Sequence, residues 1–293
     1  METQWQLVIF TLLICLGSGT FGVAGLLAAL GKGDEVRLPA LIVSFIALVV
    51  GGIASLFHVQ HWERMFNSFG HLQSGITQEI ICLALIVVAI IVYFVVSRKG
   101  KTPKWAGWMA IILSLLMIVA MSHSYIMPSR PMWNNVLLYL YYLANYLLFG
   151  GLTIAALYGF KGQSSPFACK VTYVAGALQL VATIGYAILI PSLSEKFTRV
   201  GYYFDPANPM KDITSDPSAL FSGYLTGEGA LLFWGGALVL GIIIPLVLAF
   251  FASKKSGTTL TGLAGIGVVS ALVGGVAFRV VLYVLGLSVF AFY

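Results

Sequence analysis

The sequence predicts an all-α integral membrane protein, a bundle of eight transmembrane helices, and three observations lead to this fold class. The chain has 293 residues, of which 59% are hydrophobic and only 9% are charged. Soluble domains carry about 25% charged residues, so this chain lacks the polar side chains that would cover a water-facing surface. Its apolar residues also fall in long runs, and about 20 such residues allow a helix to cross a bilayer.

Hydrocarbon offers no partner to free backbone groups, so only helices or closed-barrel strands can cross it. Runs of this length are interpreted as helices. The first run, from about Gln6, follows a start without basic residues and exceeds the apolar core of a cleavable signal, so we expect a retained span. Pro245 predicts a kink in the seventh run, since proline removes a backbone hydrogen bond. We expect a single domain over residues 1–293. The predicted spans are residues 6–31, 38–59, 77–97, 105–126, 135–160, 169–190, 229–252 and 259–290.

The basic residues predict the orientation of these spans. The first, third, fifth and seventh connections hold ten Lys and Arg residues, whereas the second, fourth and sixth hold five. Basic residues are enriched in cytoplasmic loops, so we expect the odd loops in the cytoplasm and both termini outside. The net charge of +6 therefore reflects topology and does not indicate a nucleic-acid partner.

The longest connection, about residues 191–228, is an outer loop in this topology. It contains four prolines and the aromatic cluster Tyr202-Tyr203-Phe204. Loops of this length are uncommon unless they are functional or disordered. Two interpretations stay open: an ordered surface for a partner, or a flexible connector with aromatics at the membrane interface.

Five ionisable groups from five spans are expected at the outer leaflet: His58, Glu79, His123, Glu228 and Arg279. A charged side chain at a helix centre costs about 2.5–3.5 kcal/mol on insertion scales, so such residues indicate a functional site. Arg279 could hydrogen-bond a carbonyl oxygen of a ligand. Alternatively, it reaches the headgroups or pairs with Glu79 or Glu228 as a structural tie.

The sequence offers little for a metal or haem site. Cys15, Cys82 and Cys169 are scattered in apolar runs, and three of the four histidines fall in one stretch, His58, His61 and His71. Each haem usually takes two facing histidines as axial ligands, so this clustering argues against two haems, and a single haem remains an alternative. A proton-exchanging histidine is favoured, because imidazole titrates near neutrality.

Tyrosines crowd the start of the fifth span, where an aromatic belt at the membrane interface is expected and ligand stacking is the alternative. They are Tyr139, Tyr141, Tyr142 and Tyr146.

Three short motifs, together with an Arg and a following Tyr in the last span, resemble one known family. The chain resembles the membrane anchor subunit of dimethyl sulfoxide reductase, within the NrfD-like quinol-interacting anchors. The motifs are Ala-Ser-Leu-Phe-His at 54–58, Arg-Met-Phe-Asn-Ser at 64–68 and Ile-Thr-Gln-Glu-Ile at 76–80, with Arg279 and Tyr283 in the last span. After His58 the chain departs from the family pattern, and His61 is an added histidine.

The resemblance implies a non-catalytic subunit of a multisubunit oxidoreductase that carries the quinol oxidation half-reaction of anaerobic respiration. Menaquinol would be the bound substrate, with no haem or metal in this chain. Its electrons would pass to a four-cluster iron–sulfur subunit and a molybdenum-cofactor subunit that reduces dimethyl sulfoxide or a related acceptor. The expected location is the inner (cytoplasmic) membrane, with these partners on the outer face. His58 and Glu79 would be catalytic, and the quinol-binding residues would be His58, Arg64, Asn67, Ser68, Glu79 and Arg279.

Two rival functions stay open from the residues alone. An eight-helix transporter or channel would also bury charges, but it predicts polar groups at the bilayer midplane and broken helices. A passive anchor without a quinone site would share the whole topology.

Overall fold

The computed structural model describes residues 3–58, 67, 69–98, 100–196 and 217–289. Within these ranges eight helical segments are long and apolar enough to cross a membrane, which confirms the predicted fold class. A short helix, α7 (Pro217–Thr226), precedes the seventh of them. The crossing segments are α1 (Trp5–Ala29), α2 (Arg37–Leu56), α3 (Gly75–Ser97), α4 (Lys104–Ser124), α5 (Val136–Phe160), α6 (Pro166–Leu193), π1 (Leu231–Ile243) with α8 (Ile244–Ala252), and α9 (Gly257–Val284).

Helices α1 and α5 form the centre of the bundle, and most of their side chains are buried. They cross at Gly19 and Gly150, where a Cβ atom on either residue would overlap the backbone of the facing helix. Gly25 of α1 meets Gly107 of α4 in a similar close contact. Small residues allow helices to approach this closely.

The seventh span changes its helix type part of the way along. It is a π-helix from Leu231 to Ile243 and an α-helix from Ile244, with Pro245 in the first turn of the α-helical part. The kink predicted at Pro245 therefore falls beside a change of hydrogen-bonding pattern, which lies between Ile243 and Ile244.

The predicted outer loop, 191–228, is partly helical in the described residues. Helix α6 continues to Leu193, a 3₁₀ turn follows at Ser194–Lys196, and α7 occupies Pro217–Thr226. The aromatic cluster Tyr202-Tyr203-Phe204 lies outside the described residues.

The connection between α4 and α5 is fastened to the end of α9. The hydroxyls of Tyr125 and Tyr283 share a hydrogen bond of 2.7 Å. Trp133 Nε1 donates to the carbonyl of Leu282 at 2.7 Å, and the N–H of Val289 donates to the carbonyl of Ser129 at 2.8 Å. These contacts order the end of the bundle where α3 begins and α4 ends.

Candidate functional site

Glu79 is the only carboxylate in the described parts of α1–α6, π1, α8 and α9. Its Oε1 accepts a hydrogen bond of 3.0 Å from Oγ of Ser124, the last residue of α4. The contact forms because α3 begins against the end of α4, where Gly75 packs on the backbone of Ser124. At 1.5 Å per residue, the Cα of Glu79 lies about 6 Å from the start of α3.

Tyr125, directly after α4, borders this carboxylate. Burial, followed by the neighbouring Tyr283, Tyr142 and Glu79, raises the pKa of Tyr125 well above its usual range. The hydroxyl of Tyr125 is paired with that of Tyr283 at 2.7 Å. Three buried phenols, those of Tyr125, Tyr142 and Tyr283, therefore lie near Glu79.

His58 lies two residues beyond the end of α2, and its side chain is exposed. The backbone N–H of His58 donates to the backbone carbonyl of Ser55 at 3.1 Å, so the backbone continues the last helical turn. Because α2 and α3 are consecutive spans, His58 and Glu79 belong to the same end of the bundle. Asn67 is exposed in the connection between these spans, whereas Arg64 and Ser68 lie outside the described residues.

His123 neighbours Ser124 on the last turn of α4 and is also exposed. Its Nδ1 lies 2.8 Å from the hydroxyl of Tyr139 on α5. The structure therefore brings Glu79 and His123 to one pair of helix ends, as expected. Tyr139 was not among the predicted quinol-binding residues.

Arg279 has an environment of a different kind, because its side chain is fully buried. The guanidinium lies 5.2 Å from the centre of the Tyr142 ring. Among the described residues it has no carboxylate partner within 4.0 Å. Its acceptors are Thr11 Oγ1 at 2.8 Å, Gly275 O at 3.0 Å, Asn145 Oδ1 at 3.1 Å, Thr11 O at 3.2 Å and Cys15 Sγ at 3.4 Å.

These contacts exclude two of the roles that the sequence suggested for Arg279. Its bond to Gly275, one turn earlier in α9, directs the guanidinium away from the helix end, so the side chain does not extend toward the headgroups. Nor does it pair with Glu79 or Glu228, because its described partners are neutral groups of α1, α5 and α9. The sequence could not show this, since the partners are up to 268 positions away.

Glu228 has different surroundings from Glu79. It is exposed and lines a cavity of about 570 Å³ between α7 and the start of π1, together with Tyr224 and Leu232. The five predicted ionisable groups therefore differ in their surroundings. They include the α3–α4 carboxylate, an internal cation and a separate surface carboxylate.

The expected aromatic belt at the start of α5 is wrong for three of its four tyrosines. Tyr141, Tyr142 and Tyr146 are at most 4% exposed and belong to the core. The ring of Tyr141 stacks on Phe278 at 3.6 Å between centroids. Because α5 is central, tyrosines near its start meet other helices instead of headgroups.

Asn145 Nδ2 also lies 3.5 Å from Oε1 of Gln179 on α6. Several residues of the contacts described above were not predicted, namely Ser124, Thr11, Asn145 and Gln179. Asn145 and Gln179 are side-chain amides in long apolar runs, and the cost of a polar group in hydrocarbon is the signal that could have identified them. Ser124 and Thr11 give no such signal, because serine and threonine are common in transmembrane helices.

Within the described residues, no three His, Cys, Asp or Glu side chains are close enough to bind a metal ion. The cysteines Cys15, Cys82 and Cys169 are buried and free.

Comparisons with known proteins agree with the resemblance seen in the sequence. The protein is 27% identical over 194 residues to the anaerobic dimethyl sulfoxide reductase subunit YnfH of Escherichia coli (strain K12), an alignment that covers 64% of this protein and 68% of the relative. It is 29% identical over 161 residues to an anaerobic dimethyl sulfoxide reductase subunit of Haemophilus influenzae, covering 52% and 57%. The profile of the DMSO reductase anchor subunit family matches residues 1–285. The protein therefore belongs to the DMSO reductase anchor subunit (DmsC) family.

Proposed function

We propose that this protein anchors a reductase complex in the inner membrane, oxidises menaquinol and passes the electrons to an iron–sulfur subunit. From there they would reach a molybdenum subunit that reduces dimethyl sulfoxide or a related acceptor. The observation that carries this proposal is the Glu79 carboxylate, hydrogen-bonded to Ser124 at the end of the bundle that also bears His58. Family membership favours an anchor over a transporter.

Oxidation of a quinol releases two electrons and two protons, so the substrate needs a proton acceptor and polar partners at headgroup depth. An exposed imidazole can take a proton near neutral pH. His58 accepts a proton from one quinol hydroxyl, and Glu79 either orients His58 or relays protons to the outer water. Asn67, with Arg64 and Ser68, contacts the headgroup.

Arg279 stabilises the helices next to this site. Its guanidinium ties α9 to α1 and α5 through Thr11 and Asn145. Helices α5 and α9 carry Tyr142 and Tyr283, two of the phenols near Glu79. We assign it to the local fold and not to direct contact with the headgroup.

The test is quinol oxidation by membranes that carry His58→Ala, with His71→Ala as the matched control because His71 is also an exposed histidine of the α2–α3 connection. A loss of about 100-fold or more is expected for His58→Ala, the range of general acid–base effects. Reduction driven by a viologen dye, which bypasses the quinol, should stay normal. Unchanged quinol oxidation in the His58→Ala complex would remove His58 from the mechanism, and a native complex that oxidises no quinol would favour a passive anchor.

A further inference from the structure

A row of buried polar atoms follows the seam between α5 and α6. Gln179, Thr183 and Tyr186 recur on one face of α6 and are fully buried. Tyr141 and Tyr142 of α5 are equally buried. Among the described residues, none lies at normal hydrogen-bonding distance and angle from Gln179 Nε2, Thr183 Oγ1 or the hydroxyls of these three tyrosines. Polar groups are nevertheless close to each phenol: Gln179 to Tyr141, Thr11 of α1 to Tyr142, and Asn135 to Tyr186.

The row is continuous with Arg279 at one end. Asn145 accepts from Arg279 through Oδ1 at 3.1 Å and approaches Gln179 Oε1 through Nδ2 at 3.5 Å. Gln179 in turn neighbours the Tyr141 hydroxyl. From Gln179 to Tyr186 the seam rises about 10 Å, at 1.5 Å per residue.

At its other end the row reaches the start of α5. Tyr186 neighbours Asn135, the residue that precedes α5. The Oδ1 of Asn135 is buried and has no hydrogen bond to a described residue, although its Nδ2 donates to Met132. The seam therefore runs from the internal cation to the end of the bundle that carries Glu79.

Leaving so many polar atoms without partners would be costly. An unsatisfied polar group in an apolar interior costs about 1–3 kcal/mol, and more in hydrocarbon where water cannot reach it. Here polar groups lie near one another without a hydrogen bond of normal distance and angle, and a bridging water satisfies such an arrangement. Buried waters typically have two to four polar partners, and this seam supplies them at successive levels.

We propose that the α5–α6 seam is a binding site for a file of internal waters, which leads from Asn135 to Asn145 and hydrates the surroundings of Arg279. The ligand is water alone, bound by phenol, amide and hydroxyl groups. These waters would add polar groups around the buried guanidinium to those of its neutral protein partners. This inference does not depend on quinol oxidation.

Hydroxyl-radical footprinting of the intact protein in lipid nanodiscs tests the proposal, because pulsed radiolysis of bound water oxidises the side chains beside it. Tyr141, Tyr142 and Tyr186 should be oxidised several-fold faster than Tyr125 and Tyr283. The two controls are also buried, but their hydroxyls bond directly to each other. Equally slow oxidation of both groups would overturn the proposal.

Isosteric variants provide a second measurement. Thr183→Val and Tyr186→Phe remove one hydroxyl each with little change of shape. If the hydroxyls bind water, both variants should lower the Tm of the protein in nanodiscs. If the hydroxyls are dry and unpaired, both variants should raise it, and a raised Tm would contradict the water file.

Discussion

Ser124, the last residue of α4, donates a hydrogen bond of 3.0 Å to the Glu79 carboxylate on the second turn of α3. The carboxylate is thus held at a fixed point of the bundle, at the end that also carries His58. The same hydroxyl lies 2.8 Å from the carbonyl of Met121, and one proton serves only one of the two acceptors at a time. Glu79 is therefore held but retains acceptor capacity for a substrate or water.

Glu79→Gln should abolish most quinol oxidation, because the amide keeps the size of the side chain but cannot take up a proton. A loss of about 100-fold or more is expected from general-base effects. Ser124→Ala should lose much less, since it removes one hydrogen bond and leaves the carboxylate. The measurement is the rate with a menaquinol analogue, normalised to viologen-driven activity. The amide oxygen of Glu79→Gln can still accept from Ser124, so a loss no larger than that of Ser124→Ala would contradict proton uptake by Glu79.

Arg279→Leu should lower stability more than it lowers the rate per folded complex. The substitution leaves Asn145 Oδ1 without its donor and removes the donor to Thr11 Oγ1, which still donates to the carbonyl of Leu7. A buried acceptor left unpaired costs about 1–3 kcal/mol. Arg279→Lys should also destabilise, because an ammonium cannot span the positions of a guanidinium. Thermal unfolding and complex yield are measured beside Arg98→Leu, an exposed arginine at the end of α3. A normal yield with lost quinol oxidation would contradict the structural role.

Gly274→Ala should destabilise the pairing of π1 with α9. A Cβ at Gly274 would overlap the backbone of Gly241, and overpacking of this kind costs about 1–3 kcal/mol. Gly265→Ala on the same helix is the matched control, since its Cβ would enter open space. The Tm of both variants in detergent decides the matter, and equal Tm values would argue against the close crossing.

Cysteine labelling tests the expected topology. The Lys101→Cys variant should react with an impermeant maleimide only from the cytoplasmic side, and Thr226→Cys only from the outer side. Both positions are exposed, and the native cysteines are buried, so background labelling should be low. Labelling of both positions from the same side would contradict eight crossings.

The spans follow from the sequence because the bilayer imposes a length and an apolar composition on each helix, and all eight predicted runs are helices. The conformation of Arg279 does not follow, since it depends on Thr11 and Asn145 in helices remote in sequence. The π-helical geometry of Leu231–Ile243 likewise has no local signal. Glu79 was identified from the cost of an intramembrane carboxylate and from the family resemblance, whereas its partner Ser124 required the packing of α3 on α4.

The most direct measurement is the reduction of the iron–sulfur clusters in the purified complex by a menaquinol analogue, followed by electron paramagnetic resonance without an acceptor. Reduced-cluster signals should appear with the native protein. They should be lost with Glu79→Gln, whose clusters dithionite should still reduce. Equal cluster reduction by the quinol in the native and Glu79→Gln complexes would contradict quinol oxidation at Glu79, and purification of the protein without iron–sulfur and molybdenum subunits would contradict the proposed assembly.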